Sequence, residues 1–414
     1  MMQVCVVGLG YIGLPTAAML ASRGHEVIGC DINPRTLRMV GAGQASFQEP
    51  DLQMLLSAAV QTGRLRVQAT PAEAECYILA VPTPFGPGKQ PDLSFVEAAT
   101  DAIAPLLRRG AVVILESTAP VGATEAVTAR LAAARPDLRF PRHGEEDAEA
   151  EIRVAHCPER ILPGSMLREL VANDRIIGGV TEACARAALR LYESFVTGQC
   201  YLTDCRTAEF VKLIENSYRD VNIAFANELS LIGDRLGVDV WRAIELANRH
   251  PRVAILQPGA GVGGHCIAVD PWFLVAAVPE TARLIRAARE VNDAKPDWVA
   301  ERILRHAARF RDPVVACFGL AYKPDVDDLR ESPSVAIAER LARQGNLTLL
   351  VVEPHVAALP PALAGLDNVT LVDMATACRE ADIIAFLVGH KPFRRLDLQG
   401  LLGKVVVDAI GLMR

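Results

Sequence analysis

The chain has 414 residues, of which 51% are hydrophobic and 22% are charged, and its formal net charge is −6. This length exceeds one ordinary hydrophobic core, so we predict two or three soluble globular domains. The charge gives no basis for binding nucleic acid or an anionic membrane surface. No apolar run is long enough to span a bilayer, and Met1 leads directly into a predicted strand without a signal peptide.

Cysteine usage indicates a reducing compartment. The ten cysteines are scattered without a CxxC pair, and Cys200 and Cys205 are the closest two. We therefore expect reduced thiols, a cytoplasmic protein and no metal site. His156 and Cys157, next to Glu159, would bind a metal only if distant residues supplied further ligands.

The amino terminus carries a glycine-rich turn between a strand and a helix. The apolar run 4–7 leads into Gly-Leu-Gly-Tyr-Ile-Gly at 8–13, a helical pattern reaches Ser22, and a second strand at 27–30 ends at Asp31. The glycines permit a tight turn, close approach of a pyrophosphate and close helix–strand packing, with the phosphates at the helix amino terminus. Asp31 would bind a ribose 2′-hydroxyl, which favours NAD over NADP.

Two further strands are predicted to end in hydroxyl-bearing segments. The strand 76–81 leads to Thr83, and the strand 111–115 leads to Glu116-Ser117-Thr118. Because the ends of parallel strands bind ligands in sheets of this kind, Thr83 and Thr118 are cofactor-side candidates. Closing turns is an equally good use for these two hydroxyls.

The next segment mixes an acidic loop with a short motif. Residues 136–151 are polar, acidic and aperiodic, so we predict a solvated loop, and the acidic part at 144–151 has no assigned role. The strand 154–157 then leads to Glu159 and Arg160, which either contribute to a site or form a structural ion pair.

A single long helix is predicted from Asp204 to about Leu236. At about 100° per residue, an apolar face opposes a polar one that contains Lys212, Asn216 and Arg219. An apolar face this wide needs a partner, such as the same helix of a second subunit. The polar face is either solvated or used to hold an oxyanion and a phosphate. The apolar face consists of Phe210, Ile214, Tyr218, Val221 and Phe225.

A glycine-rich loop with one cysteine follows the cationic cluster at 248–252. The loop 261–273 contains Cys266 and, four residues later, Asp270. Its glycines would let the main chain approach a ligand, which makes Cys266 a candidate nucleophile. The alternative is a buried cysteine at a turn.

The carboxyl-terminal part resumes the alternation of strands and helices. A helix is predicted around 281–292, with Pro296 breaking its pattern, and a strand at 314–318 opens a second, smaller α/β half. Further elements are predicted at these positions: a helix to about Arg343 and strands at 347–352, 383–388 and 405–407.

These motifs, in this order, resemble the UDP-glucose/GDP-mannose dehydrogenase family over essentially the whole chain. They are the GxGxxG turn, Glu116-Ser117-Thr118, Cys157-Pro158-Glu159-Arg160, Lys212 with Asn216, the GGHC loop with Asp270, and the segment from Tyr322-Lys323 to Arg330-Glu331-Ser332-Pro333. His265 and Val269 argue against the UDP-glucose and GDP-mannose branches. The resemblance implies two Rossmann-like domains, 1–200 for NAD and 301–414 for the UDP-sugar, joined by a helical dimerisation and catalytic domain at 201–300.

The resemblance also implies the chemistry, a four-electron oxidation of a sugar C6 alcohol with two NAD+. A Cys266 thiohemiacetal would become a thioester that water hydrolyses. Lys212 and Asn216 would stabilise oxyanions, Thr118 and Asp270 would hold the water, and Glu159 completes the implied catalytic set. The implied substrate is UDP-N-acetyl-D-mannosamine, with UDP-N-acetyl-D-glucosamine as the rival and a nucleotide-sugar-binding protein without turnover as a third reading.

Contacts carry over position by position. The implied NAD contacts are Gly8, Gly10, Tyr11, Ile12, Gly13, Asp31, Arg35, Thr83, Thr118 and Arg330. The implied substrate contacts are Arg160, Ile161, Lys212, Asn216, Arg219, His250, Arg252, Gly263, Tyr322 and Lys323. The family further implies a homodimer through the central helix, in which the segment 250–252 reaches the neighbouring site, and a role in cell-surface polysaccharide synthesis.

One position departs from the family pattern. The family usually has a lysine or arginine between the aspartate and the glycine of its last strand, where this chain has Ile410 between Asp408 and Gly411. The loss of one charged substrate contact would cost about 1.5–3 kcal/mol unless another group replaces it.

Overall fold

The computed structural model describes residues 1–47, 49–144, 149–161, 164–264, 266–396 and 401–413. Two compact units, Met1–Ile214 and Glu215–Arg414, divide inside one continuous helix. The strands are β1 Gln3–Val7, β2 Glu26–Cys30, β3 Leu65–Gln68, β4 Cys76–Leu79, β5 Val112–Leu115, β6 Arg153–His156, β7 Arg175–Gly179, β8 Cys200–Asp204, β9 Val314–Phe318, β10 Thr348–Val352, β11 Val369–Leu371, β12 Ile383–Phe386 and β13 Val405–Asp408. The helices are α1 Gly13–Ser22, α2 Pro34–Gly41, α3 Leu52–Gln61, α4 Ser94–Ile103, α5 Ala123–Ala134, α6 Met166–Ala172, α7 Glu182–Tyr192, α8 Cys205–Leu236, α9 Val240–Ala247, α10 Asp270–Ala277, α11 Arg283–Ala307, α12 Pro333–Ala342, α13 Pro361–Ala364 and α14 Met374–Glu380.

The amino-terminal unit is built on an eight-stranded sheet with the order β3-β2-β1-β4-β5-β6-β7-β8. All neighbours are parallel except β6 and β7. The central strands are almost continuously apolar, as expected where helices cover both faces of a parallel sheet. The order of its first six strands is that of dinucleotide-binding sheets, so the predicted Rossmann architecture is confirmed.

The glycine turn fixes how closely α1 approaches this sheet. Nine of the ten residues of α1 are buried. A Cβ on Gly13 would lie 1.9 Å from the carbonyl oxygen of Gly8, so only glycine permits this contact. The predicted packing role of the third glycine is thereby confirmed.

The carboxyl-terminal unit has a second sheet of five parallel strands, in the order β11-β10-β9-β12-β13. Helices α11 and α12 pack over one face, where Val315, Ile303 and Ile337 are fully buried. Phe318 and Phe386 fill the other face with their ring centroids 5.1 Å apart. The predicted second α/β half is therefore present.

The predicted break at Pro296 is wrong. Helix α11 runs from Arg283 to Ala307 with Pro296 inside it. An interior proline costs roughly 3 kcal/mol relative to alanine, but the turns that follow bury Val299 and Ile303 completely. Tertiary packing thus outweighs the local propensity.

The long helix α8 begins one residue later than predicted. Asp204 closes β8, and its carboxylate accepts hydrogen bonds from the Thr207 amide at 2.9 Å and hydroxyl at 2.6 Å, which caps the helix. The predicted apolar face is exposed, most strongly at Tyr218 (68%) and Phe225 (51%), while Val221 is half-buried. Within the described parts of the chain, no helix is both long and apolar enough to cross a membrane.

Candidate active site

The dinucleotide turn places its three glycines in three different environments. Gly8 has φ +98°, and a Cβ there would lie 2.4 Å from the Ala80 carbonyl oxygen. Gly10 has no atom within 4 Å of an added Cβ and faces open space, which suits the approach of a phosphate. The turn therefore has the two closed glycines and the one open glycine that a dinucleotide requires.

Asp31 holds this turn together from the end of β2. Its Oδ2 accepts a hydrogen bond from the Leu9 amide at 2.9 Å, and its Oδ1 accepts one from the Asn33 amide at 2.8 Å. The carboxylate thus sits beside the turn, as the predicted ribose contact needs. Arg35 lies in the exposed first turn of α2, which Asn33 caps.

An aromatic pair lies beside the same turn. The rings of Tyr11 and Phe47 are stacked with centroids 4.2 Å apart and an interplanar angle of 15°. Ile12 precedes α1 at its amino end. The predicted cofactor-side residues of the turn therefore lie together at the carboxyl edge of β1.

The two candidate threonines contact each other. The Thr83 hydroxyl donates to the Thr118 carbonyl at 2.7 Å, and the Ser117 hydroxyl donates to the Val81 carbonyl at 2.7 Å. The loops after β4 and β5 are thus tied side by side at one sheet edge. The Thr83 hydroxyl therefore closes a turn, as the alternative interpretation expected. This bond does not prevent Thr83 or Thr118 from lining a cofactor site.

Glu159 forms its ion pair with Arg175 and not with Arg160, so sequence adjacency indicated the wrong partner. Arg175 Nη1 donates to Glu159 Oε2 at 2.7 Å, and the two side chains are 3% and 4% exposed. The Arg160 guanidinium instead donates to the Asp174 carbonyl at 3.2 Å. Ile161 is half-buried, and the following Leu162 and Pro163 lie outside the described residues.

A second buried carboxyl group lies beside this pair. Glu116 accepts hydrogen bonds from the Thr16 and Tyr192 hydroxyls, each at 3.2 Å. Burial, with repulsion from Glu159, raises the pKa of Glu116 to about 8. The surroundings of Glu116, directly before the Ser117-Thr118 loop, thus favour its protonated form.

Helix α8 buries part of its polar face. Lys212 and Asn216 are each 8% exposed, whereas Arg219 is exposed, so the solvated alternative is wrong for the first two residues. One turn before, Glu209 accepts hydrogen bonds from the Gly122 amide at 2.6 Å and the Thr124 amide at 2.7 Å. That buried carboxylate caps α5 and ties the loop after Thr118 to α8.

The imidazole of His156 is fully buried at the end of β6. Neither ring nitrogen has a hydrogen-bond partner among the described residues. Burial, with the nearby positive charge of Lys212, lowers the pKa of His156 to about 3. His156 is therefore neutral, and among the described residues it belongs to no group of three possible metal ligands.

The glycines of the cysteine loop are required by the protein's own chain. A Cβ on Gly263 would lie 2.3 Å from the Glu331 carbonyl oxygen, and one on Gly264 would lie 2.9 Å from the Tyr322 ring. Close approach of a ligand is therefore not needed to explain them. The loop packs directly against the segment that contains Tyr322; His265 lies outside the described residues.

Cys266 is the exposed cysteine of this chain. Seven of the other nine are buried and two are half-buried, so the buried alternative for Cys266 is wrong. Its carbonyl oxygen accepts the amides of Val269 at 3.0 Å and Asp270 at 2.9 Å, which places Cys266 just before α10. Cys266 thus lies in the turn that leads into α10.

Asn216 and Asp270 meet in the interior of the carboxyl-terminal unit. The Asn216 amide donates to Asp270 Oδ2, and Asp270 is 3% exposed. This bond fixes the start of α10 to α8. The structure therefore brings together two residues for which the family resemblance implies a catalytic role.

Four predicted ligand-contacting cations of the carboxyl-terminal unit, three for the substrate and Arg330 for NAD, differ in their surroundings. The Lys323 ammonium lies 5.8 Å from the centre of the Tyr322 ring. Arg330 binds Asp328 with two parallel hydrogen bonds of 2.8 and 2.6 Å. His250 and Arg252 follow α9 in exposed positions.

Ile410 is part of the hydrophobic core. The half-buried side chain packs against the apolar clusters on both faces of the second sheet. Its backbone amide donates to Asp408 Oδ1 at 3.0 Å, as does the Gly411 amide at 2.8 Å. The turn is therefore held by Asp408, and Ile410 contributes packing at the position where the resemblance implies a cation.

One group of possible metal ligands lies at the second sheet. Among the described residues, Asp325, His355 and His390 have ligand atoms within 4.8 Å of one another. His390 Nδ1 accepts the Asp325 amide at 2.9 Å, and its Nε2 bonds Glu353 at 3.0 Å. Both ring nitrogens are engaged, which leaves neither for an ion.

Sequence patterns did not identify the buried partners Glu209 and Arg175. Glu209 precedes Lys212 by three positions and Asn216 by seven, so the helical period could have placed it on the same buried face. Arg175 is sixteen residues from Glu159, and no spacing rule connects them.

Comparison with known proteins identifies one family along the chain. Residues 2–196, 206–294 and 316–414 match the NAD binding, central and UDP binding domains of the UDP-glucose/GDP-mannose dehydrogenase family. The NDP-N-acetyl-D-galactosaminuronic acid dehydrogenase of Ralstonia nicotianae is 58% identical over 99% of this chain and 96% of its own. The UDP-N-acetyl-D-mannosamine dehydrogenase of Salmonella typhi is 52% identical over 99% of both. A solved UDP-D-ManNAc dehydrogenase from Pyrococcus horikoshii is similar with a TM-score of 0.88 and 37% identity, over 100% of this chain and 96% of that one.

Proposed function

This chain belongs to the UDP-glucose/GDP-mannose dehydrogenase family, and from that premise we propose that it oxidises the C6 alcohol of UDP-N-acetyl-D-mannosamine to a carboxylate. As a family member it is an NAD-dependent oxidoreductase with a UDP-binding domain. The proposed reaction removes four electrons and uses two NAD+ per sugar. Relatives at 52% and 37% identity that carry this substrate in their names support the sugar.

The observation that carries the four-electron reaction is the exposed thiol of Cys266. A two-electron alcohol oxidation needs no nucleophile, whereas an aldehyde loses a second hydride readily only after addition to its carbonyl. Nine of the ten cysteines are buried or half-buried, and the exposed one precedes α10. The buried Asn216–Asp270 bond holds the start of that helix.

The residues of the amino-terminal turn fit NAD. Gly10 is open to a phosphate, Gly8 and Gly13 close the turn, and the Asp31 carboxylate lies beside it. These residues would hold NAD+, which would supply the hydride acceptor for C6. Tyr11, Thr83 and Thr118 belong to the same proposed cofactor side, which we assign to residues 1–200.

The chain's own residues carry out the remaining steps. Lys212 receives the proton of the C6 hydroxyl, and the Cys266 thiolate adds to the aldehyde carbon to give a thiohemiacetal. The Lys212 ammonium and the Asn216 amide stabilise its oxyanion. After the second oxidation, water attacks the thioester carbonyl and Cys266 leaves as a thiolate.

Further residues support the hydrolytic step and the substrate. Thr118 and Asp270 hold the water, and Glu159 remains in the proposed catalytic set with its orientation fixed by Arg175. The segments 201–300 and 301–414 supply the catalytic helix and the UDP-sugar domain. The substrate contacts proposed are Arg160, Ile161, Arg219, His250, Arg252, Gly263, Tyr322 and Lys323.

A second candidate substrate is the galacto-configured UDP-N-acetylhexosamine. The 58% identical relative from Ralstonia nicotianae is named for N-acetyl-D-galactosaminuronic acid. The reaction is the same and only the configuration of the sugar ring differs. With either sugar, the half-buried Ile410 would not supply the charged substrate contact that the resemblance implies at this position.

The test is the number of NADH molecules formed per sugar consumed. Purified protein and NAD+ are incubated with the UDP-activated N-acetylmannosamine, N-acetylgalactosamine, N-acetylglucosamine and glucose. Two NADH from the manno sugar, with little from the others, support the proposal, and two from the galacto sugar support the second candidate. No NADH from any sugar, with UDP-sugar binding intact, would overturn the enzymatic proposal and leave a binding protein.

The variant Cys266→Ser tests the mechanism, with Cys378→Ser as the matched control. Cys378 is half-buried on α14 and is outside the proposed site. We expect Cys266→Ser to lose uronate formation and Cys378→Ser to keep a stoichiometry of two. Full uronate formation by Cys266→Ser would exclude the thioester route.

We also propose that the protein is a homodimer through α8, working in the cytoplasm. The uncovered apolar side chains support it: Phe210 is 47% exposed, Ile214 44% and Tyr218 68%. Light scattering of the purified protein and of Tyr218→Glu tests the dimer. A monomeric wild-type protein would contradict it.

A further inference from the structure

Two buried side chains anchor the main chain on either side of Cys266. Asn227 on α8 accepts a hydrogen bond from the Gly259 amide through its Oδ1 at 2.9 Å. Arg289 on α11 donates to the Ile267 carbonyl at 3.5 Å, one residue after Cys266. The cysteine loop is thus held before and after the thiol by residues that sequence motifs did not select.

These anchors belong to one hydrogen-bonded chain. Asn227 Nδ2 donates to Asn292 Oδ1 at 2.9 Å, and Asn292 Nδ2 donates to Asp220 Oδ1 at 2.8 Å. Arg289 Nη1 donates to the same Asp220 oxygen at 2.6 Å. The path from Gly259 to Ile267 therefore runs through four side chains at the contact of α8 with α11.

This network is poorly explained by stability alone. Its four side chains are each at most 1% exposed. Asp220 Oδ2 and Arg289 Nε have no hydrogen-bond partner among the described residues. Buried ion pairs are often no more stabilising than apolar side chains of similar volume, so a role in specifying one geometry accounts better for their presence.

We propose that Asn227 and Arg289 are positioning residues that hold the Cys266 loop in the geometry for addition to the aldehyde. The inference rests on the proposed function of Cys266. The first hydride transfer needs no thiol, whereas the second needs the sulfur within attacking distance of the aldehyde carbon. Loosening the loop therefore impairs the second oxidation selectively, and aldehyde escapes.

The decisive variant is Asn227→Ala, because it removes the Gly259 anchor without leaving a buried charge unpaired. We expect NADH per sugar to fall from two towards one and an aldehyde to be trapped by hydroxylamine. We also expect the amides around 259–267 to exchange hydrogen about tenfold faster, because a buried hydrogen bond is lost. Exchange is measured without substrate.

Asn227→Asp provides a rescue that a purely structural role would not show. A neutral aspartic acid can donate to Asn292 and accept from Gly259, as asparagine does, whereas its ionised form repels Asn292 Oδ1. We expect this variant to match the wild-type protein at low pH and to release aldehyde at high pH, but less than Asn227→Ala does, because the ionised carboxylate still accepts from Gly259 and loses only its bond to Asn292. An invariant stoichiometry of two across pH would overturn the proposal.

Ile303→Val is the matched control for lost stability. Ile303 is fully buried on α11 and belongs to the apolar core. We expect it to lower the melting temperature while stoichiometry and exchange at 259–267 stay as in the wild type. Unchanged hydrogen exchange at 259–267 in Asn227→Ala would show that Asn227 does not anchor the loop. The exchange measurement needs no substrate, so it tests the anchor even if the wild-type protein forms no NADH.

Discussion

Arg175 and Glu159 form a buried ion pair beside the amino-terminal sheet, although sixteen residues separate them in sequence. Arg175 opens β7, and Glu159 follows β6, its antiparallel neighbour. Arg175 also lies 5.2 Å above the ring of Tyr192, which hydrogen-bonds Glu116. The guanidinium thus pairs with the Glu159 carboxylate in a region that also contains the buried carboxyl group of Glu116.

Replacing Arg175 with methionine should destabilise the protein by about 3–5 kcal/mol, because it leaves Glu159 buried without its cation. The free energy of unfolding in urea at pH 7 measures the effect. The double variant Arg175→Met/Glu159→Leu should recover most of the loss, since neither charge remains. Equal stability of Arg175→Met and the wild type would show that the pair is not electrostatically coupled.

Glu116 should make stability fall as pH rises. Its pKa is raised from 4.5 to about 8. The contribution of the protonated carboxyl group to folding stability is therefore complete below pH 4.5 and is lost as pH rises through 8. Glu116→Gln should remove this slope, so that its advantage over the wild type grows by about 1.4 kcal/mol per pH unit between pH 5 and 8.

Urea unfolding at several pH values tests this slope, with the exposed Glu193→Gln as control. The control should differ from the wild type by a constant amount. A constant difference for Glu116→Gln as well would mean that Glu116 is ionised in the folded protein at neutral pH.

Lys295 should make stability rise with pH, opposite to Glu116. Its burial on α11 lowers its pKa from 10.5 to about 8, so the folded state is penalised below pH 8 and relieved as pH rises to 10.5. The ammonium contacts the Ser230 hydroxyl and lies 4.4 Å from the Trp298 ring. Lys295→Met should therefore be more stable than the wild type at pH 7, by up to about 3 kcal/mol.

The measurement is the difference in unfolding free energy between Lys295→Met and the wild type from pH 7 to 10.5. The difference should shrink over that interval, because the wild-type lysine becomes neutral. A variant that is less stable at pH 7 would show that the contacts with Ser230 and Trp298 outweigh the burial penalty.

Sequence patterns predicted the features that depend on local chemistry. The glycine turn before α1, the buried strands and the long helix α8 follow from residue type and period, and each occurs within a few residues of its predicted bounds. Cys266 is exposed, and its assignment as a nucleophile, which depended on the surrounding motif, stays a proposal.

The features that sequence patterns missed depend on distant contacts. Pro296 stays inside α11 because packing of the following turns outweighs its local cost. Glu159 pairs with Arg175, and Asn227 anchors Gly259, across separations that no helical or strand period specifies. The tertiary fold selects those partners, so a single sequence does not reveal them.

Two glycines, Gly264 in the cysteine loop and Gly259 two residues before it, should respond differently to replacement by alanine. Gly264 has φ +84°, and an added Cβ would lie 2.9 Å from the Tyr322 ring. At Gly259 the nearest atom to an added Cβ is the Gly261 carbonyl oxygen at 4.0 Å. Gly264→Ala should cost at least about 1–2 kcal/mol from backbone strain alone, with steric conflict adding to it.

Gly259→Ala is the matched control, because it keeps the backbone amide that bonds Asn227 and adds a methyl group where there is space. It should leave stability unchanged or raise it by about 0.4–1 kcal/mol through the unfolded state. Thermal unfolding of both variants, with the rate of Cys266 alkylation by iodoacetamide, is the measurement. If both alanines had the same small effect, Tyr322 would have to move away readily, and the tight packing of the loop would not be what holds Cys266 in place.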